Sequence, residues 1–373
     1  MRLLATTAIY LSLAGLCLYG MLFVYSSTIP PWADADETWV FSGAFKKQCV
    51  FYLLGCVLAY GVSRIPYRRW RSYSLLFYIT NLFLLVLLRF FGQVFGGARS
   101  WFAIGDLRYQ PSETMKIAWA LYLAEVLRHR AQRGKLWGLT SSFLATLVPV
   151  FLILIQPDLG TACIFVPALT LTLYATGARK RHLALAVGIM VIAAIPLWHF
   201  GMKEYQKDRL RAWLDPKNKE QKEAYQLRHS LLAVADGSWF GKGLGQGEMN
   251  RLALLPERHT DFIFSVIAEE LGLFGALGLI AAYGLLVLAI VALATYTREP
   301  YGKVALTAIA SIIFCQAFIN LAVALGIIPT TGLTLPLVSA GGSSVVATSV
   351  MVGLALSIAR HPVTVLSSED YLD

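Results

Sequence analysis

The strongest constraint on the fold is a series of apolar runs, each close to the about 20 helical residues that cross a bilayer core. Of the 373 residues, 57% are hydrophobic and only 14% are charged, and the mean hydropathy is +0.61. Soluble proteins usually carry about 25% charged residues. This composition excludes an ordinary soluble enzyme, a disordered chain and a nucleic-acid-binding module. The sequence therefore predicts an all-α polytopic membrane protein.

Ten apolar runs qualify as transmembrane helices, and residues 1–373 are read as one membrane domain. The predicted spans are 3–25, 45–63, 73–91, 112–127, 138–155, 160–177, 183–200, 262–294, 304–326 and 344–359. With a cytoplasmic N-terminus, 15 Arg and Lys residues fall in inner segments and 5 in short outer segments. This bias follows the positive-inside rule. It predicts that both termini are cytoplasmic and that 201–261 is a long extracytoplasmic loop between spans seven and eight.

The eighth run, 262–294, is longer than one span requires, and glycines interrupt it at 272, 275 and 278. This pattern predicts a helical or re-entrant stub of about ten residues before the true span. Glu269 and Glu270 would then be buried within protein. In the preceding loop, residues 203–223 mix charges of both signs. This is typical of amphipathic helices on lipid headgroups, with Trp213 and Tyr225 as anchors, or of a solvated face without a role.

Polar residues near membrane depth are functional candidates because burying them is costly. Glu113 and Lys116 are three residues apart and share a helix face, either as a self-neutralising ion pair or as functional groups. Asp158, in the sequence QPDLGT, suits either a helix N-cap or a site residue. Asp261, in LPERHTD, leaves the same two interpretations open, but a histidine and an arginine stand beside it.

Residues 329–344 read PTTGLTLPLVSAGGSS and predict non-helical backbone between spans nine and ten. Such backbone at membrane depth lines a cavity or is buried in protein. Residues 241–247, GKGLGQG, fit neither the dinucleotide nor the P-loop pattern and follow no strand, so they favour a glycine-rich hinge or a headgroup-facing loop. The five cysteines form no CxxC pair, so they indicate neither a zinc site nor a disulfide framework. An enzyme with these features would receive its activated substrate on a lipid, on the outer side.

Four ordered motifs resemble the SEDS family (shape, elongation, division and sporulation) over nearly the whole chain. They are RSW with QPSE, QPDLGT, LPERHTDFIF with EELG, and LPLVS-x-GGSS. Glu257-Arg258-His259 resembles the family's elongation members more than its division members, which usually have alanine before the histidine. Ala340 is a departure, because the family often has tyrosine there.

The resemblance implies a peptidoglycan glycosyltransferase that polymerises lipid II, the undecaprenyl-pyrophosphate disaccharide-pentapeptide, during cell elongation. It implies the bacterial cytoplasmic (inner) membrane, membrane lipids and a class B penicillin-binding protein as partners, and no nucleic acid. Asp261 matches the family's essential aspartate and is the expected catalytic residue. The residues expected to bind substrate are Lys116, Glu113, Arg99, Trp101, Gln110, Ser112, Asp158, Arg258, His259, Glu269, Ser339 and Ser343.

We expect Asp261 to act as the base for the acceptor hydroxyl, at the mouth of a groove formed by spans four and eight and the 329–344 segment. Burial near Glu269 and Glu270 would raise its proton affinity. Lys116 and Arg99 would neutralise phosphate charge, with a divalent metal, Mg or Mn, as a candidate cofactor that no motif specifies. The alternatives are a flippase for a lipid-linked precursor and a scaffold that recruits the cross-linking enzyme.

Overall fold

The structure is a computed structural model that describes residues 2–28, 42–95, 98–105, 107–128, 136–178, 184, 188, 204–215 and 222–362. Within these residues the chain forms thirteen helices and three short strands. The helices are α1 (Arg2–Thr28), α2 (Gly43–Arg64), α3 (Tyr67–Ser72), α4 (Ser74–Phe91), α5 (Pro111–Leu127), α6 (Leu136–Ile155), α7 (Leu159–Ala175), α8 (Glu204–Leu214), α9 (Lys222–Asp236), α10 (Glu248–Arg251), α11 (Ile263–Tyr296), α12 (Pro300–Ala324) and α13 (Gly342–Arg360).

Six of the described helices, α1, α2, α4, α11, α12 and α13, are long and apolar enough to cross a membrane. Two further apolar helices, Thr140–Ile155 and Leu159–Ala175, are shorter. The chain is therefore a multi-pass membrane protein. Helices occupy nine of the ten predicted spans, and the predicted seventh span, 183–200, lies outside the described residues apart from two isolated positions. The count of ten spans stays a prediction.

Helices α5 and α12 form the centre of the bundle. Both are buried on nearly every side, and α12 packs against α5, α7 and α11. A helix that is apolar all round is stable only inside a protein or membrane, whereas the peripheral helices keep apolar side chains at the surface. Leu53 on α2 is 68% exposed and Phe83 on α4 is 59% exposed. These outer faces suit contact with lipid.

Small residues bring α2 and α13 into close contact. A Cβ on Gly55 would lie 2.7 Å from the Ser349 hydroxyl oxygen, and one on Gly353 would lie 2.6 Å from the Ala59 carbonyl oxygen. Membrane helices associate through such small residues because lipid gives them no hydrophobic drive to pair. This contact fixes the start of α13, which borders the candidate site.

Helix α11 is broken at Gly272, where φ is 66° and ψ is −162°. The break confirms the predicted division of the long run into a short helical piece, Ile263 to Leu271, and a longer helix. The glycine-rich segment before α11 replaces the lost helical hydrogen bonds: the N–H groups of Lys242 and Gly243 donate to the carbonyls of Glu269 and Glu270 at 3.0 and 2.9 Å. The predicted hinge or headgroup-facing loop at 241–247 is thus a backbone clasp on the kink.

The all-α prediction is wrong between α4 and α5. Strands β1 (Gln93–Phe95), β2 (Ala98–Ile104) and β3 (Leu107–Tyr109) form an antiparallel sheet in the order β1-β2-β3. The sequence carries Gly-Gly at 96–97 and Gly-Asp at 105–106, and both pairs are hairpin signals. The signal is overlooked when only membrane spans are counted, because strands of three to seven residues are too short to show a period.

Candidate functional site

The loop between α12 and α13, residues 325–341 and here called the α12–α13 loop, is the meeting point of the polar segments. Its backbone is held by side chains from α2 and α11. Tyr52 on α2 and Tyr283 on α11 donate their hydroxyls to the carbonyls of Leu337 and Pro336, and Gln48 donates to the Ser339 carbonyl at 3.1 Å. Irregular backbone inside a bundle must be satisfied in this way, so the loop is a built element of the core.

The turn that carries Asp261, residues 257–262, is fastened to this loop by hydrogen bonds. Ala340 N–H donates to the His259 carbonyl at 2.8 Å, and the Ser339 hydroxyl donates to the Thr260 carbonyl. The Asn320 amide of α12 donates to the carbonyls of both Asp261 and Leu333, at 2.9 and 2.6 Å. The backbone of the Asp261 turn is therefore fixed by the α12–α13 loop and α12 together. Ala340 contributes through its backbone, so the missing tyrosine side chain leaves this attachment intact.

Asp261 is half-buried, immediately before the start of α11. Its pKa is raised to about 6: burial and the Glu257 carboxylate raise it, and Arg209 and a hydrogen bond from Thr260 oppose the increase. A carboxyl group with this pKa is ionised at neutral pH yet basic enough to accept a proton. Glu269 and Glu270 were expected to raise the pKa of Asp261. This expectation is corrected, because the carboxylate that raises it is that of Glu257.

Glu270 belongs to a separate polar network near the end of α1. It is fully buried and accepts hydrogen bonds from the Ser26 hydroxyl at 2.6 Å and from the Asn250 amide at 2.8 Å. Glu269, also fully buried, accepts from the Met249 N–H at 2.8 Å. The prediction that both glutamates are buried within protein is confirmed. Their hydrogen bonds give them a structural role, whereas Glu269 was expected to bind substrate.

Arg258 and His259 flank the catalytic candidate, but their contacts differ. Arg258 donates to the carbonyls of Ser27 and Asn250, both at 2.7 Å, so it ties the Asp261 turn to α1 and α10. Burial lowers the pKa of His259; Glu257 opposes this shift and Arg258 adds to it. The imidazole is therefore neutral at physiological pH.

Lys116 and Glu113 form a buried ion pair at the start of α5. The Lys116 ammonium lies 2.7 Å from a Glu113 carboxylate oxygen, with side chains 0% and 4% exposed. It also donates to Gln316 at 2.6 Å, and Gln316 donates to the Thr334 carbonyl and the Ser344 hydroxyl. This geometry favours the self-neutralising pair over direct phosphate contact, and it connects α5 to the α12–α13 loop.

Gln110 connects Asp158, the residue before α7, with Ser343 at the start of α13. Its amide donates to the Asp158 carboxylate at 2.9 Å, and its backbone N–H donates to the Ser343 hydroxyl at 3.3 Å. Asp158 also accepts from the Thr161 N–H at 3.0 Å, so the N-cap interpretation is confirmed. Burial raises the Asp158 pKa, and the bonds from Thr161 oppose the increase. Ser112, in the first turn of α5, is fully buried.

Arg99 and Trp101 lie on β2, not on the Asp261 turn. The Arg99 guanidinium donates to the Arg89 carbonyl at the end of α4, at 3.2 Å, and Trp101 pairs with Gln93 across the sheet. The resemblance implies that both belong to a loop above the central cavity, and this placement stays a prediction. Contact with substrate stays a prediction for both.

A cavity of about 490 Å³ opens between α2, α4, α5 and α13. Its wall is almost entirely apolar, and Arg108, Tyr109 and Ser343 lie at one end. The predicted groove was to be formed by spans four and eight. Span four (α5) does line this cavity, but α11 contributes none of its lining residues.

Metal ligation was left open by the sequence. Among the residues that the structure describes, His, Cys, Asp and Glu side chains do not gather in groups of three or more. Two carboxylates, Asp261 and Glu257, interact electrostatically at the site. A protein-only cage for a cation is therefore not formed by the described side chains.

Three residues of the site were missed by sequence reasoning: Gln316, Asn320 and Arg209. Gln316 and Asn320 are four residues apart in an otherwise apolar span, which places two amides on one helix face. Uncharged polar residues in a membrane helix usually bond across to neighbouring elements, so this signal was readable. Arg209 carries no comparable signal, because it lies among other charges in the 203–223 segment.

A family model described as Cell cycle protein, covering FtsW, RodA and SpoVE, matches residues 7–363. The chain is 38% identical to a probable peptidoglycan glycosyltransferase FtsW of Halorhodospira halophila, over 92% of this chain and 87% of that protein. It is 34% identical to the peptidoglycan glycosyltransferase MrdB of Escherichia coli K12, over 91% of each chain. These relatives include both division and elongation names, so the resemblance to elongation members stays a prediction.

Solved structures have the same fold. One, described as showing structural coordination of polymerization and crosslinking by a peptidoglycan synthase complex, matches with a TM-score of 0.77 and 32% identity, over 94% of this chain and 96% of that one. The rod shape determining protein RodA of Thermus thermophilus matches with a TM-score of 0.69 and 30% identity, over 94% and 95% of the two chains.

Proposed function

The chain belongs to the FtsW, RodA and SpoVE family of cell cycle proteins, and from that premise we propose how it works as a peptidoglycan glycosyltransferase. Asp261 is the general base. The substrate is lipid II, and the reaction takes place on the outer face of the cytoplasmic membrane. The observation that carries this assignment is the Asp261 carboxylate, half-buried with a pKa of about 6 on a turn fixed to the α12–α13 loop.

The chemistry requires one base and a means to stabilise the leaving group. The acceptor sugar's hydroxyl oxygen attacks the anomeric carbon of the donor, and its proton passes to Asp261. The new glycosidic bond forms while the bond from the anomeric carbon to the lipid pyrophosphate breaks, with inversion. One carboxylate suffices for an inverting displacement in which the acceptor replaces water as nucleophile.

The apolar cavity between α2, α4, α5 and α13 is the proposed position of the donor's isoprenoid chain. Its apolar wall suits a hydrocarbon, and Arg108 at one end suits the phosphate where that chain begins. Ser343 lies at the same end and comes three residues after Ala340, whose N–H bonds to the Asp261 turn. This short connection supports a lipid position near the proposed base.

A divalent metal, Mg or Mn, is a further proposal. The described side chains form no group of three or more ligands, so most contacts to such an ion would come from the donor's phosphate oxygens. When bound, it would supply positive charge to the departing pyrophosphate. Polymerisation measured with and without a chelator tests this proposal.

We propose a class B penicillin-binding protein as the partner and the bacterial cytoplasmic membrane as the location. A solved relative forms a peptidoglycan synthase complex, which supports a partner of this kind. On this chain the apolar faces of α11 and α12 offer a docking surface, since Phe274 is 57% exposed and Phe318 is 55% exposed. Loss of co-purification on changing both residues to serine tests the surface.

The deciding experiment is polymerisation of lipid II by purified protein in detergent, with the cognate partner present. Asp261→Asn removes the base and keeps the size of the side chain, so we expect a loss of about 10²–10⁴-fold in rate. The matched control is Asp236→Asn, which changes an aspartate paired with Lys242 at the surface. Because detergent leaves no membrane to cross, transport cannot account for glycan strands. An Asp261→Asn protein that is folded and polymerises at the wild-type rate contradicts the assignment.

A further inference from the structure

Helix α8 lies across the bundle and is fixed at two places. The Gln206 amide donates to the Pro157 carbonyl at 3.3 Å, next to the Asp158 cluster. The Trp213 indole N–H donates to the Gly326 carbonyl at 2.9 Å, at the start of the α12–α13 loop. Trp213 therefore contacts protein, although the sequence suggested a headgroup anchor. These two contacts position the residues between them over the candidate site.

Arg209 lies between these two contacts and faces Asp261 across Gly332. A Cβ on Gly332 would lie 3.4 Å from an Arg209 guanidinium nitrogen and 3.8 Å from an Asp261 carboxylate oxygen. Gly332 has a φ of 74°, which favours glycine, so no side chain separates the two groups. The guanidinium and the carboxylate thus flank one narrow gap.

The three cations that were expected from the sequence to bind substrate contact other groups. Lys116 is fully buried against Glu113 and Gln316, and Arg258 holds the carbonyls of Ser27 and Asn250. Arg99 donates to the end of α4. Of the cations whose contacts are described above, Arg209 is therefore the one that faces the Asp261 carboxylate.

We propose that Arg209 is a further catalytic residue, whose guanidinium contacts the donor's pyrophosphate beside Asp261. This inference rests on the proposed role of Asp261. A pyrophosphate that approaches Asp261 and Glu257 meets two negative charges, so binding there requires a cation. Arginine suits this position because it is always protonated and its planar fork matches phosphate oxygens.

The protonation of Asp261 follows from its burial and from the charges that face it. Burial and Glu257 raise its pKa, and Arg209 lowers it. Since only the ionised carboxylate accepts a proton, polymerisation falls as the pH drops through about 6 in the wild type. Without Arg209 the pKa rises, and the acid limb of the pH profile moves upward by about one unit.

The test compares Arg209→Gln, Arg209→Lys and Arg211→Gln by lipid II polymerisation across pH, with thermal unfolding as the check of folding. Arg211 is on the same helix, 53% exposed and paired with Asp208. For Arg209→Gln we expect the upward shift of the acid limb. At high pH, where Asp261 is ionised in every variant, we expect a KM for lipid II raised by about tenfold or more. Arg209→Lys keeps the acid limb in place, and Arg211→Gln keeps both wild-type values.

An Arg209→Gln protein with the wild-type acid limb and KM overturns the inference. So does a loss of rate that is equal at every pH with an unchanged KM, since that would be a structural effect. If Arg209→Gln is too slow to titrate, Arg209→Lys decides: a folded lysine variant that is equally inactive overturns the inference, and one that recovers activity supports it.

If Asp261→Asn is inactive while Arg209→Gln is normal, only the Arg209 role fails. If Asp261→Asn is active, the proposed function fails.

Discussion

At the scale of single residues, the buried Lys116–Glu113 pair gives a direct prediction. Lys116→Met leaves the Glu113 carboxylate buried without its cation, and removing one member of a buried pair costs about 3–5 kcal/mol. We expect a lowered melting temperature for the protein purified in detergent. The double variant Glu113→Gln with Lys116→Met removes both charges and recovers most of the loss, because it leaves no unpaired ion.

The double variant also separates the two roles of Lys116. If the pair only positions α5, polymerisation of lipid II returns together with stability. If the ammonium contacts substrate, the stable double variant stays inactive. A Lys116→Met protein as stable as the wild type would contradict the buried geometry, in which the lysine side chain is 0% exposed.

Residue types could be predicted from the sequence better than their contacts. Asp261 and the Glu113–Lys116 pair were identified because charge near membrane depth is costly. The contacts were harder to predict, because Gln316 approaches Lys116 through tertiary packing and Glu257 approaches Asp261 through the local turn 257–262. Glu269 and Glu270 are two turns from Asp261 in sequence, yet their hydrogen bonds run to Met249 and Ser26, on other elements.

At the scale of elements, the kink in α11 predicts a sharp contrast between two glycines. Gly272→Ala places a Cβ 2.4 Å from the Gly241 nitrogen, at a φ of 66°, so both strain and a backbone clash oppose it. We expect destabilisation of about 1–3 kcal/mol by thermal unfolding, with reduced polymerisation. Gly284→Ala is the matched control in the same helix, because its Cβ meets nothing within 4 Å. Equal melting temperatures for the two variants would contradict the clasp described for residues 237–247.

Secondary-structure elements were predictable where a long apolar run dominates the sequence. The apolar runs located nine described helices to within a few residues, and three glycines indicated the break in the eighth run. The three-stranded sheet was missed, because short hairpins depend on turn residues and on pairing between strands. The role of 241–247 could not be predicted either. It depends on carbonyls that are left without helical partners only because α11 bends.

At the scale of the whole molecule, the bundle combines a fixed core with an irregular outer layer. The α12–α13 loop receives hydrogen bonds from α2, α11 and α12, and it holds the Asp261 turn in return. A polymerase that moves a growing strand needs its base held still relative to the lipid-binding surface. Because α2, α5 and α13 line the cavity and also reach this loop or border it, the lipid site and the base are parts of one packed unit.

The arrangement across the membrane gives the last prediction. Three candidate spans, α11, α12 and α13, separate Leu252 from Pro362, so we expect these residues on opposite sides of the membrane. In a variant whose five native cysteines are replaced, Leu252→Cys should react with a membrane-impermeant maleimide in right-side-out vesicles, whereas Pro362→Cys should react only after permeabilisation. Leu53→Cys is the control: this position is 68% exposed but faces lipid, so it should resist the reagent in both states. Labelling of Leu252→Cys and Pro362→Cys from the same side would contradict three crossings and place Asp261 away from a lipid-linked substrate on the outer face.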